Sequence, residues 1–575
     1  MTRRRAMSAK NEQPWLKSYP KGMDWDASID LTPVQQILDD AVARWPGQPA
    51  INFMGRQISY LELGELTDRG AKGLQQLGVG PGVHVGIYLP NSPHTIIAFF
   101  SILKAGGTVV NYSPLDAAKV LEHKIDDSRT DLLFTLDLAA LYPNMVAMLG
   151  KTRLKQLIVG NVGEMASNAD AVNAGLQGAK QLAEAKWDDQ HVRFADLLGN
   201  DGKYQRHPVA DPKKVIAVLQ YTGGTTGLPK GAMLTHANLT AACSQFLLST
   251  QYDPPIIEEG KERYLGVLPP FHIFALTVNM LFALKMGAEI FQHMRFDPKA
   301  ALEEISGKKI SVFCGVPTMF TALIDHPDTP KHDLRSLKYC GSGGAPLPVE
   351  VAERYTRITG CPVTEGWGMT ETSPSGTFTP MSKIKPGSCG IPLAGVTIKL
   401  LDLTDPTKYV PQGEKGEMCI RGPNVMKGYW NNEKATAESM TFDGFFRTGD
   451  VATMDEDGYI FIVDRCKDML LCSGYNVYPR VLEEAIYQHP SVGEACVIGI
   501  PDEYRGQSPK AFVALKSGAR PFDLKELQAF LKDKLGKHEM VQAMEIRDSL
   551  PKTAVGKLSK KDLVDEEARK RTAKA

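Results

Sequence analysis

Short apolar runs alternate with helical patterns over most of residues 1–464. Residues 83–89 are typical of a strand, residues 93–105 have the pattern of a helix, and residues 108–112 are again typical of a strand. The alternation returns between residues 298 and 365. Strands separated by helices predict parallel sheets covered by helices. Ligands of such sheets bind at the loops that leave the carboxyl ends of the strands, so we expect the chemistry there.

The pattern changes after about residue 390. Residues 396–403, 416–421 and 458–464 are strand-like with few helices between them, which predicts a small β-rich unit. The last 110 or so residues have an α+β pattern, with helices predicted at 479–487 and 523–535 and strands at 495–500 and 511–515. The charged tail, residues 560–575, predicts a solvated helix that frays. The clearest domain boundary falls near residues 465–468.

Acidic and basic residues balance, with 66 of each, so no net field recruits nucleic acid. Nine cysteines without a CxxC pair predict buried, reduced thiols in a cytoplasmic protein. The 12 histidines form no HExxH or similar motif, so we expect no structural zinc. Three early arginines precede polar residues, which does not predict a signal peptide. Lysine and glycine interrupt the two longest apolar stretches, 95–112 and 271–291, and neither predicts a membrane span.

The strongest motif is a loop rich in glycine and threonine. It reads Tyr221-Thr222-Gly223-Gly224-Thr225-Thr226-Gly227-Leu228-Pro229-Lys230-Gly231. Glycines let backbone N–H groups approach phosphate oxygens, hydroxyls add donors, and Lys230 adds a positive charge. In a Walker A loop the lysine stands between Gly and Ser or Thr, whereas here Pro229 precedes Lys230 and Gly231 follows it. The loop therefore predicts a phosphate site outside the Walker A class.

Motifs along nearly the whole chain, in order, resemble the AMP-forming acyl-CoA synthetases. This adenylate-forming family includes firefly luciferase and peptide-synthetase adenylation domains. The chain is most similar to bacterial long-chain fatty-acyl-CoA synthetases, which share the segments at residues 223–227, 230–236, 271–277 and 474–479. The resemblance implies an α/β fold with an N-terminal domain, residues 1–464, of two helix-covered sheets and a small β-barrel-like unit. It also implies a smaller, mobile α+β C-terminal domain, residues 465–575, with its hinge near Lys467.

Several motifs suit the parts of a nucleotide. Glu371 is a hard oxygen donor of the kind that Mg²⁺ prefers, and Asp450 can accept two hydrogen bonds from a ribose. Trp367 is flat enough to pack on adenine, although alone it would more often be a core residue. By resemblance, Glu371 holds the metal with help from Thr222. The implied nucleotide set is Thr222, Gly223, Gly224, Thr225, Thr226, Gly227 and Lys230 at the phosphates, Thr370 at the α-phosphate, Gly343, Gly344, Ala345, Gly366, Trp367 and Gly368 around adenine, Asp450 and Arg465 at the ribose, and Met369 as a further cofactor-binding residue.

Lys557 resembles the lysine that catalyses adenylation, although alone a lysine in a basic tail is usually solvated. A cation beside a carboxylate and an α-phosphate screens their repulsion as they join. The resemblance adds Lys230, Thr226 and His272 to the catalytic set and gives Lys557 a place at the α-phosphate. His272 would line the carboxylate end of the acyl site, and alone it would be a core histidine. Gly474 would lie where the pantetheine arm of coenzyme A passes.

The resemblance implies an acid–thiol ligase that uses ATP, Mg²⁺ and coenzyme A to activate a fatty acid, with long chains favoured. Residues 315–318 and the apolar face of 274–282 are candidates for the acyl tunnel. Two alternatives stay open: a ligase of the same fold for a medium-chain, dicarboxylic or aromatic acid, and an acyl-AMP ligase that loads a carrier protein. A nucleotide-binding scaffold without turnover would predict the loss of Glu371 or Lys557, and both residues are present. We expect no nucleic-acid partner and a cytoplasmic location, with loose contact at the inner membrane surface.

Overall fold

In the computed structural model, which describes residues 13–222, 229–473, 475–553 and 557–572, two seven-stranded sheets form most of the fold. The first sheet has, in spatial order, strands His191–Arg193, Gln156–Gly160, Thr130–Leu136, His84–Ile87, Thr108–Asn111, Ile216–Thr222 and Lys230–Thr235. All neighbours are parallel except the last pair, which is antiparallel and places Thr222 opposite Lys230.

The second sheet repeats this arrangement. In spatial order its strands are Val363–Glu365, Tyr339–Ser342, Val312–Gly315, Arg263–Gly266, Glu289–Gln292, Pro49–Phe53 and Arg56–Ser59. Again only the last pair is antiparallel. The predicted parallel sheets are therefore confirmed. The strand predicted at residues 337–340 is instead Tyr339–Ser342, two residues later than expected. Its small residues Gly341 and Ser342 gave no apolar signal, yet both are buried in the sheet.

Helices cover and separate the two sheets. Pro93–Lys104 is buried along its whole length, and His236–Thr250 nearly so, as expected for helices packed on several sides. The outer face of the second sheet packs on Pro298–Lys308, Pro317–Asp325 and Val349–Thr359. The other α-helices of this part of the chain are Gln35–Arg44, Tyr60–Gln76, Ala118–Asp127, Tyr142–Val146, Ala169–Gly178, Phe194–Leu197, Ala283–Lys285 and Glu433–Glu438. A π-helix, Ala275–Phe282, precedes Ala283–Lys285.

The predicted β-rich unit is a four-stranded antiparallel sheet. Its strands, in both chain and spatial order, are Thr397–Leu401, Gly416–Arg421, Phe446–Met454 and Ile460–Arg465. A short pair, Thr377–Phe378 with Ile391–Pro392, precedes it. Lys467 lies in the turn after Ile460–Arg465. The division at residues 464 and 465 remains a prediction.

The C-terminal part has the α+β pattern that the sequence predicts. Its sheet contains Leu470–Cys472, Tyr475–Val477, Val492–Asp502, Gly506–Leu515 and Ala543–Arg547, and its helices are Pro479–Tyr487, Leu524–Leu531 and Lys560–Thr572. The helix expected to reach residue 535 ends at Leu531 and continues as turns. The tail helix is not simply solvated as predicted, because Leu563 is buried against Cys496 and Phe512.

Other predictions concern what the chain lacks. All nine cysteines are free thiols, and eight of them are buried, as predicted; Cys466 is half-buried. Within the described ranges, none of the helices has the length and apolar character needed to span a bilayer. The described residues likewise contain no cluster of three or more histidine, cysteine, aspartate or glutamate side chains placed to hold a metal ion.

Candidate active site

The frame of the phosphate loop is a hairpin at the edge of the first sheet. Ile216–Thr222 enters the loop and Lys230–Thr235 leaves it, so Thr222 and Lys230 face each other across the hairpin. Residues 223–228 lie outside the described residues, as does Gly474. The predicted roles of Gly223, Gly224, Thr225, Thr226, Gly227 and Gly474 therefore remain predictions.

A tyrosine connects the phosphate-loop lysine to the predicted metal carboxylate. The Tyr429 hydroxyl donates a hydrogen bond of 2.6 Å to Glu371 Oε1, and Lys230 Nζ lies 4.9 Å from the centre of the Tyr429 ring. Backbone bonds hold this segment beside the hairpin, since Trp430 donates to the Gly231 carbonyl at 2.7 Å. Three side chains that are far apart in sequence thus meet at the end of the first sheet.

Glu371 fits the role of a magnesium ligand. It lies in the turn Thr370–Thr372 and is only 5% exposed. Burial raises the pKa of its carboxyl group, whereas the Tyr429 hydrogen bond and the charges of Arg465 and Lys230 oppose that rise. Magnesium is commonly held by one or two carboxylates together with substrate phosphates. A single buried carboxylate joined through Tyr429 to Lys230 of the phosphate hairpin suits such a site.

The predicted ribose residues form a second polar group. Asp450 Oδ1 accepts a hydrogen bond from Arg465 Nε at 2.8 Å, and Asp450 Oδ2 accepts one from the Trp367 indole N–H at 2.7 Å. Trp367, predicted to pack on adenine, is 9% exposed and orients Asp450. Two fixed donors hold the carboxylate in one orientation, as the predicted role of Asp450 at the ribose requires.

The loops predicted to hold adenine contain glycines at positions where a side chain would not fit or would be strained. A Cβ atom on Gly368 would lie 1.9 Å from the carbonyl oxygen of Pro374, so no larger residue fits there. Gly343 and Gly344 follow the strand Tyr339–Ser342, and Gly344 has a φ of +83° that favours glycine. Ala345 continues this loop, which leaves the carboxyl end of the strand. The loop therefore has the position expected of a ligand site.

Lys557 reaches this loop from the C-terminal part of the chain. A Cβ atom on Gly344 would lie 2.8 Å from Lys557 Cε. The two residues line a cavity with Leu268, Pro269, His272, Phe274 and Val316. Burial, together with the charge of Arg465, lowers the pKa of Lys557 to about 8. Burial and the nearby Lys557 lower the pKa of His272 to about 3, so His272 is neutral at pH 7.

Two family models match different parts of the chain. Residues 38–430 match the model of the AMP-binding enzyme family, and residues 481–557 match the AMP-binding enzyme C-terminal domain. This chain belongs to the AMP-binding enzyme family. A long-chain-fatty-acid–CoA ligase of Bacillus subtilis (strain 168) is 38% identical over 565 residues, which cover 97% of this chain and 99% of that protein.

Solved structures of AMP-binding enzymes have the same fold. The anthranilate CoA ligase AuaEII in complex with anthranoyl-AMP matches with a TM-score of 0.82 and 25% identity, covering 95% of this chain and 99% of that one. ATP-bound MatB from Rhodopseudomonas palustris matches with a TM-score of 0.78 and 27% identity, covering 93% and 99%. These matches confirm the predicted fold class.

Sequence reasoning missed the partners that hold this candidate site together. Tyr429 gave no chemical signal, because a tyrosine after a glycine is common in loops. Asp464 and Lys560 were also missed. Asp464 Oδ2 accepts a hydrogen bond of 2.9 Å from the Arg480 backbone N–H, and Lys560 Nζ lies 3.2 Å from Glu483 and 3.9 Å from Asp464. These contacts fix the segment that carries Lys557 against the end of the four-stranded sheet.

Proposed function

We propose that this chain joins a fatty acid to coenzyme A at the expense of ATP, through an acyl-adenylate. The observation that carries the proposal is the position of Lys557, which lies against Gly344 in one cavity with His272. A buried ammonium is thereby placed beside the loop predicted to hold the adenosine. Family membership and the name of the Bacillus subtilis relative support the fatty-acid assignment.

In the first half-reaction, a carboxylate oxygen of the acid attacks the α-phosphorus of ATP. An O–P bond forms, the bond to the bridging oxygen breaks, and pyrophosphate leaves with that electron pair. The positive charges of Lys557 and Lys230 stabilise the negative charge that develops. Glu371 and Thr222 would hold Mg²⁺, which supplies charge neutralisation at the phosphates when it is bound. Asp450, fixed by Trp367 and Arg465, orients the ribose.

In the second half-reaction, the sulfur of coenzyme A attacks the acyl carbon after its proton is lost to solvent. A C–S bond forms, the C–O bond to the phosphate breaks, and AMP leaves. In the first half-reaction, His272 is neutral at pH 7 and therefore adds no cation that would hold the attacking carboxylate as an ion pair. Movement of the C-terminal domain about Lys467, with Gly474 replacing Lys557, is part of this proposal.

The experiment is pyrophosphate release measured with a series of acids, with and without coenzyme A. Lys557→Ala is expected to lose adenylation but to convert supplied acyl-adenylate into thioester. Retained adenylation by this variant would contradict the role of Lys557. The chain-length profile decides between long-chain acids and the aromatic acids that the name of the anthranilate ligase suggests. Loose membrane association remains a prediction, tested by sedimentation with lipid vesicles.

A further inference from the structure

A second cavity lies where the carboxyl ends of the two sheets meet. Three amide side chains line it: Asn91, Asn279 and Gln292. Asn91 follows the first-sheet strand His84–Ile87, and Gln292 ends the second-sheet strand Glu289–Gln292. Parallel sheets bind ligands at this edge, yet none of the nucleotide residues that fall in the described part of the chain lines this cavity.

The three amides are buried but incompletely paired. Asn91, Asn279 and Gln292 are 2%, 5% and 7% exposed. Within the described residues, Asn91 Oδ1, Gln292 Oε1 and both polar atoms of the Asn279 side chain make no hydrogen bond. Asn91 Nδ2, in contrast, donates to the carbonyl oxygens of Gly266 and Leu268. Buried polar atoms without partners are unfavourable, so a cluster of them around one cavity indicates a site for a polar group.

The helix that carries Asn279 connects this cavity to the catalytic end of the site. Asn279 belongs to the π-helix Ala275–Phe282, a rare geometry that is frequent at functional sites. Phe274, just before this helix, lines the Lys557 cavity, whereas Ala275 and Asn279 line the amide cavity. Leu268 lines both cavities. Asn279 therefore lies about one helical turn from the Lys557 cavity, where the acid's carboxylate is predicted to bind.

We propose that the amide cavity binds a neutral oxygen substituent, a hydroxyl or keto group, on the hydrocarbon part of the acid. The inference rests on the proposed function and narrows its substrate class. The cavity has a volume of about 10 Å³, room for about one water molecule or one hydroxyl group. Its lining among the described residues contains no charged side chain, which disfavours a second carboxylate. Asn279 offers both a donor and an acceptor, so it can pair with a hydroxyl or a keto oxygen.

The test uses acids of one chain length that each carry a single hydroxyl at a different carbon, together with the unsubstituted parent. Pyrophosphate release gives kcat/KM for each acid relative to the parent. We expect this ratio to rise over one narrow range of carbon positions. In Asn279→Leu the ratio should fall by about tenfold at those positions, the value of one net hydrogen bond.

Thr277→Val is the matched control. Thr277 lies in the same π-helix, is fully buried and also carries an unpaired hydroxyl, but it does not line the amide cavity. Its substitution should leave the ratio unchanged. Gln292→Leu serves as a second cavity variant if Asn279→Leu fails to fold, and it should lower the same ratio.

Calorimetric binding of the hydroxy acid and its parent to the wild-type chain separates this inference from the proposed function. If the parent acid turns over but no hydroxyl position raises the ratio, the inference is wrong and the proposed function stands. An equal hydroxyl preference in wild type and both cavity variants would also overturn it. If no acid turns over, the binding data alone decide. The amide site is supported if the wild-type chain binds the hydroxy acid more tightly than the parent acid and Asn279→Leu does not, and it is refuted if the wild-type chain binds the two acids equally.

Discussion

The pH dependence of adenylation follows from the burial of Lys557. Its pKa falls from the ordinary 10.5 to about 8, chiefly because burial disfavours the charged ammonium. That difference corresponds to a cost of about 3 kcal/mol for keeping the charge in this place. The ammonium is present below the pKa and is lost above it. Adenylation needs the cation, so kcat/KM should be constant below about pH 8 and fall about tenfold per pH unit above it.

The assay is pyrophosphate release without coenzyme A, because thiols ionise in the same pH range and would distort the profile. Lys557→Arg is the control. Because a guanidinium stays charged up to about pH 12, kcat/KM of this variant should not decline between pH 8 and pH 10. Its overall rate should be lower than that of the wild type, because the guanidinium places its charge differently. His272, with a pKa of about 3, does not titrate in this range. A wild-type profile that stays flat to pH 10, or the same decline in Lys557→Arg, would refute the reasoning.

Three further predictions follow from individual contacts. Tyr429→Phe removes the hydrogen bond to Glu371 and should raise the Mg²⁺ concentration for half-maximal ATP binding by about tenfold, measured by calorimetry; an unchanged value would exclude this positioning role. Gly344→Ala introduces a Cβ atom at a positive φ and against Lys557, so it should reduce the rate of adenylation at least about tenfold. Thioester formation from supplied acyl-adenylate should be spared, and equal losses in both half-reactions would contradict the prediction. Lys560→Met breaks the ion pair described above and should lower the free energy of unfolding of the C-terminal domain by about 2 kcal/mol in urea, whereas an unchanged transition would show that the pair contributes nothing.

Much of the fold could be predicted because its signals are local. Gly416–Arg421 and Pro479–Tyr487 have the predicted bounds, since a short strand that is buried over nearly its whole length and a proline-started helix are both visible in a few residues. The tail helix was misjudged because its single core residue, Leu563, is hidden among charges. Only the tertiary structure shows that a strand of the C-terminal sheet lies beneath it.

Residues of the candidate site could be predicted where the side chain itself has the chemistry that a ligand needs. They could not be predicted where a residue only positions another side chain. Glu371 and Asp450 have the carboxylates that magnesium and ribose require. Tyr429 is 58 residues from Glu371 in sequence, and nothing local shows that the fold brings them within 2.6 Å. Asn279 lies in a segment predicted for the acyl tunnel, but the sequence does not show that its amide is unpaired.

Formation of the acyl-adenylate is tested most directly with an acid whose carboxylate oxygens are labelled with ¹⁸O, incubated with ATP, Mg²⁺ and coenzyme A. Mass spectrometry then locates the label in the products. One labelled oxygen should appear in AMP, because the carboxylate attacks the α-phosphorus and its oxygen leaves with AMP when the thioester forms. Label in pyrophosphate or inorganic phosphate, or thioester formation with unlabelled AMP, would contradict the mechanism.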